Sequence, residues 1–76
     1  MTMKGITYKD EIDYLDVSDE MTYYEVEIWE NGDCDGRFFR TLRGAKAFFK
    51  SHAKDEFDCI KKHCLGGWCF IVVDNQ

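Results

Sequence analysis

Thr22-Tyr23-Tyr24-Glu25-Val26-Glu27-Ile28-Trp29-Glu30 alternates apolar and acidic residues. Tyr24, Val26 and Ile28 fall on one side, Glu25 and Glu27 on the other, the period of two that marks a half-buried strand. Asn31-Gly32 and Asp35-Gly36 follow as turn dipeptides, so residues 31–36 read as a hairpin loop. Residues 36–41 form the return strand, with Phe38 and Phe39 on opposite faces.

Downstream of this hairpin the period changes. Thr41 is a good N-cap. After it Leu42, Ala45, Phe49, Ala53, Phe57, Ile60 and Cys64 recur at helical spacing. Lys61, Lys62 and His63 suit the negative end of such a helix, and Gly66-Gly67 stop it. A single helix of that length would run about 36 Å at 1.5 Å per residue, overhanging strands of roughly 20 Å. A break near residues 51–55, with Asp55 capping a second segment, is therefore expected. Trp68-Cys69-Phe70-Ile71-Val72-Val73 is apolar without interruption and reads as a central strand covered on both faces.

The expected class is α+β. The pattern is ββαβ, with a three-stranded antiparallel or mixed sheet packed on one long, breakable helix. The order is return strand, first strand, last strand, with a right-handed crossover. Residues 22–76 form this domain, and residues 1–21 form an acidic arm. A short strand near residues 5–9 could extend the sheet. One helix covers one face of such a sheet. The other face, with Tyr23 and Trp29, must be covered by the arm, by a second copy or by a partner.

The 76 residues make one domain, and a chain this short buries only about 60% of its unfolded surface. Aromatic residues, 16% of the chain, supply much of the core. No apolar run approaches the ~20 residues that span a bilayer. No apolar leader segment follows Met1. A cytoplasmic protein is expected, in the host cell cytosol if the source is a phage. There Cys34, Cys59, Cys64 and Cys69 would be free thiols.

The net charge of −5 hides a division. Residues 10–36 carry eleven acidic side chains and no Lys or Arg, whereas residues 37–63 carry eight basic ones. The basic residues Arg43, Lys46, Lys50 and Lys54 follow the apolar stripe as the polar flank of the helix, with Arg37 and Arg40 beside them. That flank gives one alternative function, nucleic-acid binding. The acidic half is harder to explain by packing. Duplex DNA carries one charge per ~1.7 Å of axis, and carboxylates spread over an arm and a strand could imitate it. The candidate partner-binding residues are Asp10, Glu11, Asp13, Asp16, Glu25, Glu27 and Glu30, with Tyr14 and Trp29 as apolar anchors.

Cys59, His63, Cys64 and Cys69 form a second alternative, a zinc-stabilised domain. The Cys-x4-Cys-x4-Cys spacing lacks the usual Cys-x2-Cys knuckle. No nucleophile elbow, glycine-rich phosphate loop or oriented Cys–His pair is present, so no catalysis and no cofactor are expected.

The stretch from Tyr24 to Gly32, with Arg40-Thr41-Leu42-Arg43-Gly44-Ala45-Lys46-Ala47-Phe48, resembles small proteins of phages and mobile elements. It is similar in kind to anti-CRISPR and anti-restriction inhibitors: short, acidic, α+β and without catalytic apparatus. The likeness covers residues 22–73 and is one of composition, so no residue's role is carried over. It implies a protein partner with a basic surface, within a host nucleic-acid-handling complex, and neither direct nucleic-acid binding nor a membrane role. The chain itself would be a monomer, or a homodimer through the uncovered sheet face.

Overall fold

A computed structural model describes residues 8–75. The strands are β1 (Glu11–Ile12), β2 (Tyr23–Glu30), β3 (Asp33–Phe39), β4 (Cys59–His63) and β5 (Cys69–Asp74), with helix α1 (Leu42–His52) between β3 and β4. They form one antiparallel sheet in the order β1-β3-β2-β4-β5. The class is α+β as expected, but the sheet has five strands rather than three. The suggested strand at residues 5–9 lies mostly outside the described residues; the arm's strand is Glu11–Ile12 instead.

The alternation at 23–30 becomes β2, and the hairpin closes more tightly than a loop over 31–36. Only Asn31 and Gly32 turn, at φ 55° and 85°. Two successive left-handed residues match the twist of the strands they join. β2 and β3 then pair from Tyr24↔Phe39 to Glu30↔Asp33. Val26, Ile28, Phe39 and Ile60 face the helix and pack on Ala45, Phe48 and Phe49. Burying each large apolar side chain contributes about 1.5–3 kcal/mol.

Thr41 caps α1, its hydroxyl accepting from the Gly44 N–H at 3.1 Å. The same hydroxyl donates to Asp10 Oδ2 at 2.9 Å, and the Arg40 N–H donates to the Asp10 carbonyl at 2.7 Å. The arm thus lies against the first turn of the helix. Gly44 permits the contact, since a Cβ there would sit 2.7 Å from the Lys9 carbonyl oxygen.

The helix ends at His52, and the expected continuation to Cys64 does not form. Asp58 is the reason. Its fully buried carboxylate accepts from the backbone N–H groups of Trp29 at 2.7 Å, Lys54 at 2.8 Å and Asp55 at 2.9 Å. Residues 53–58 wind around this group and tie to β2. Phe57, on the expected apolar stripe, is exposed instead, and Ile60 enters the core from β4. Asp55 caps no second helix; it sits in the bend wound around Asp58.

β4 takes the place beside β2 that had been expected of the last strand. The apolar segment 68–73 is therefore the edge of the sheet, not its centre. Only Val73 of β5 is partly buried.

Candidate docking surface

The carboxylates of residues 10–36 divide into groups with different surroundings. Asp10 and Glu11 are committed inward. Asp10 holds Thr41 and Arg40, as above. Glu11 Oε2 pairs with Arg37 Nη1 at 2.9 Å, and its side chain is 6% exposed. The Arg37 guanidinium also lies over the rings of Phe48 and Tyr8, at 5.3 and 5.8 Å from their centroids. Tyr8 meets Phe48 edge-on at 4.9 Å, which fastens the start of the arm to the helix.

Glu25 and Glu27 point away from the helix, onto the open face of the sheet. Each meets a side chain of β4: Glu25 Oε1 lies 2.8 Å from His63 Nε2, and Glu27 Oε2 lies 3.0 Å from Lys61 Nζ. The hydrogen bond to Glu27 raises the Lys61 pKa above its ordinary value. Tyr23 stacks on the His63 ring at 4.6 Å and meets Phe38 edge-on. Burial, followed by the Glu25 and Asp19 charges, raises the Tyr23 hydroxyl pKa. Cys59 Sγ donates to Glu27 Oε1 at 3.7 Å. Burial and the Glu27 charge push its thiol up to about 11, so at neutral pH it is a protonated thiol and a poor nucleophile.

Trp29 is half-buried on the same face. With Phe57, Ile71, Lys61 and Gly32 it lines a shallow cleft of about 500 Å³. Glu30 makes a long contact of 3.5 Å with Lys54 at the surface. Five of the candidate acids therefore have internal partners: Asp10, Glu11, Glu25, Glu27 and Glu30. They do not form a continuous bare row.

Asp13, Tyr14 and Asp16 are different. Asp13 caps a single 3-10 turn, Tyr14–Asp16, by accepting from the Leu15 N–H at 2.9 Å. The turn presents Tyr14, 61% exposed, and Leu15, 76% exposed, side by side. Asp16, Asp19 and Glu20 stand in water close by in sequence. None of these acids, nor Asp13, forms an ion pair among the described residues. The arm is then anchored again, as the Asp19 carbonyl accepts from the Gly66 N–H at 2.9 Å in the β4–β5 turn. Asp33 and Asp35 are exposed on β3 towards the hairpin turn, opposite Glu30 and Ile28 of β2.

The charges on the helix flank separate in the same way. Arg37 and Lys54 are paired with Glu11 and Glu30, while Arg40, Arg43, Lys46 and Lys50 are exposed. The proposed zinc ligands lose the helical spacing that joined them. Cys59 and His63 sit at opposite ends of β4, roughly 13 Å apart at strand rise. Among the described residues no group of three His, Cys, Asp or Glu side chains is placed to hold a metal ion. The four cysteines are free thiols.

Leu15 is not among the candidate residues, and the sequence reads Lys61 and His63 as the end of a helix, with His63 also a zinc candidate, not as partners of Glu27 and Glu25. Leu15 carried a weak signal as an apolar neighbour of Tyr14 in an acidic arm. The two β4 residues carried none while that segment read as helix. No family model matches the chain, and neither a curated protein nor a solved structure matches it.

Proposed function

We propose that the protein is a non-enzymatic inhibitor that docks the acidic arm on the basic surface of a nucleic-acid-handling complex. The reading rests on one observation: Tyr14 and Leu15 project from a turn capped by Asp13, in a stretch of sequence whose acids Asp13, Asp16, Asp19 and Glu20 form no ion pair among the described residues. Apolar anchors of this kind concentrate interface energy, while surrounding charges steer the encounter. Asp13, Asp16, Asp19 and Glu20 supply the steering, and Tyr14 and Leu15 the anchor. Asp10, Glu11, Glu25 and Glu27 are engaged within the scaffold, Glu30 lies at the surface beside Lys54, and none of the five is expected to touch the partner. The likeness to anti-CRISPR and anti-restriction inhibitors agrees with this role in a host cytosol.

The immobilised protein is offered nuclease-treated lysate of its host, beside a Tyr14→Ala/Asp16→Lys variant. The expected capture is a nucleic-acid-binding protein that the variant does not retain. Binding should weaken roughly tenfold or more between about 50 and 300 mM salt, as exposed charges are screened. The captured protein should lose its own nucleic-acid binding when the small protein is added. Equal capture by the variant, salt-indifferent capture, or a DNA or RNA gel shift by the small protein itself would overturn the reading.

A further inference from the structure

The two edges of the sheet are not alike. β1 is two residues long and is held in place by the Glu11–Arg37 ion pair. β5 is six residues long, and its outer backbone edge has no strand beside it among the described residues. Edge strands of soluble single-chain proteins are usually short, charged or interrupted by proline. β5 is neither short nor interrupted by proline, and its one charge is the terminal Asp74; its single irregularity is one extra residue. Between His63 and Asp74 the chain contains no charged residue, and it contains no proline anywhere. The register shift puts that extra residue on β5: Ile60 pairs with Val73 and Lys61 with Ile71, so Val72 forms a bulge that bends the strand there, while Cys69, Phe70 and Ile71 stay in regular register with β4.

Both faces of this edge are apolar and wet. Trp68 is 73% exposed, Phe70 50%, Ile71 53% and Val72 37%. Phe70 lies on the helix side, opposite Lys62, and Ile71 on the open side, opposite Lys61. We infer that a second copy of the chain covers this edge, β5 pairing with β5 antiparallel about a two-fold axis to give a continuous ten-stranded sheet.

Charge and area favour a second copy over another occupant. An antiparallel pair sets the neutral start of each strand beside the end of the other. The only charge on β5, Asp74, then falls at opposite ends of the interface and meets no like charge. Nothing on the strand selects an acidic or a basic peptide, whereas an apolar strand is complementary to itself, as an isologous contact requires. With Leu65, the four side chains leave on the order of 500 Å² of apolar surface in water. Strand pairing would bury part of this surface together with the backbone edge, an interface at the small end of the range for specific contacts.

The experiment is sedimentation or light scattering of the wild-type chain over about 1–100 µM, a range in which a mass-action dimer shows itself. Two variants accompany it, each checked for an unchanged circular dichroism spectrum. The wild type should be dimeric, with a melting temperature that rises with concentration. Val72→Lys should be monomeric, because a charged side chain on an edge strand blocks pairing. Trp29→Ala, on the open face, should remain dimeric. Amide exchange of residues 69–74 should slow on dimerisation in the wild type. A monomeric wild type at the highest concentration overturns the inference. So does a Val72→Lys variant that is folded and still dimeric, or a dimer lost on Trp29→Ala, which would place the contact on the sheet face. Should both variants unfold, the exchange measurement decides: β5 amides equally fast at both ends of the concentration range overturn it.

Discussion

The two faces of the sheet are built from the same strands yet hold together by different means. On the helix side Val26, Phe39, Ala45 and Ile60 are completely buried. On the open side, one residue along each strand, Glu25 meets His63 and Glu27 meets Lys61. The first face gains from removing apolar surface from water. The second gains little from its charges, which share the face with buried Tyr23 and Cys59 and with the Trp29 cleft. A domain too small to cover both faces with helices can leave one in water by pairing charges across strands.

Substitutions should separate the two. Phe39→Ala, at the centre of the covered face, should cost about 3–5 kcal/mol, enough in a chain this short to leave little folded protein in a denaturant titration. Asp58→Ala should follow at about 2–4 kcal/mol, since three buried N–H groups lose their acceptor. Asp58 also sets an acid limit. Burial raises its pKa, but the hydrogen bonds from Asp55, Trp29 and Lys54 outweigh that and the net shift is downward. A depressed carboxylate stabilises fully above its unfolded value of about 3.9 and loses that contribution as pH falls through the folded value. Melting temperatures should drop below about pH 4 in the wild type and drop less steeply in Asp58→Ala. Glu27→Gln, on the open face, should cost about 1 kcal/mol or less. Its clearer signature is chemical: without that carboxylate the Cys59 thiol should titrate below about 11, readable by thiolate absorbance. A Glu27→Gln loss as large as that of Phe39→Ala would mean that the open face is as much a core as the covered one.

The sequence showed the covered face well and the open face poorly, for a single reason. Alternation in 23–30, the Asn31-Gly32 turn and the Thr41 cap are local signals, and each lies where its residues suggest. β4 was hidden because Ala53, Phe57, Ile60 and Cys64 happen to keep the helical step. What stops the helix is Asp58 reaching Trp29, a contact across 29 residues that no local pattern displays. Once β4 was taken for helix, Glu25 and Glu27 had no visible partners and looked like a bare acidic row. Periodicity likewise shows that 68–73 is apolar on both faces, but not whether its neighbours are strands or water. Of the candidate residues, Asp13, Tyr14 and Asp16 stand out in the sequence only as parts of an acidic arm; the turn that Asp13 caps goes unread, although it depends only on adjacent residues.

The junction at Asp10, Thr41 and Gly44 gives the arm a mechanical consequence. The hydroxyl that starts the helix also holds the arm, and the arm's backbone rests where no side chain would fit. A load applied at Tyr14 is therefore carried to the first turn of α1 rather than absorbed by a loose tether. The arm and the helix start share one set of fastenings, and they hold or let go together.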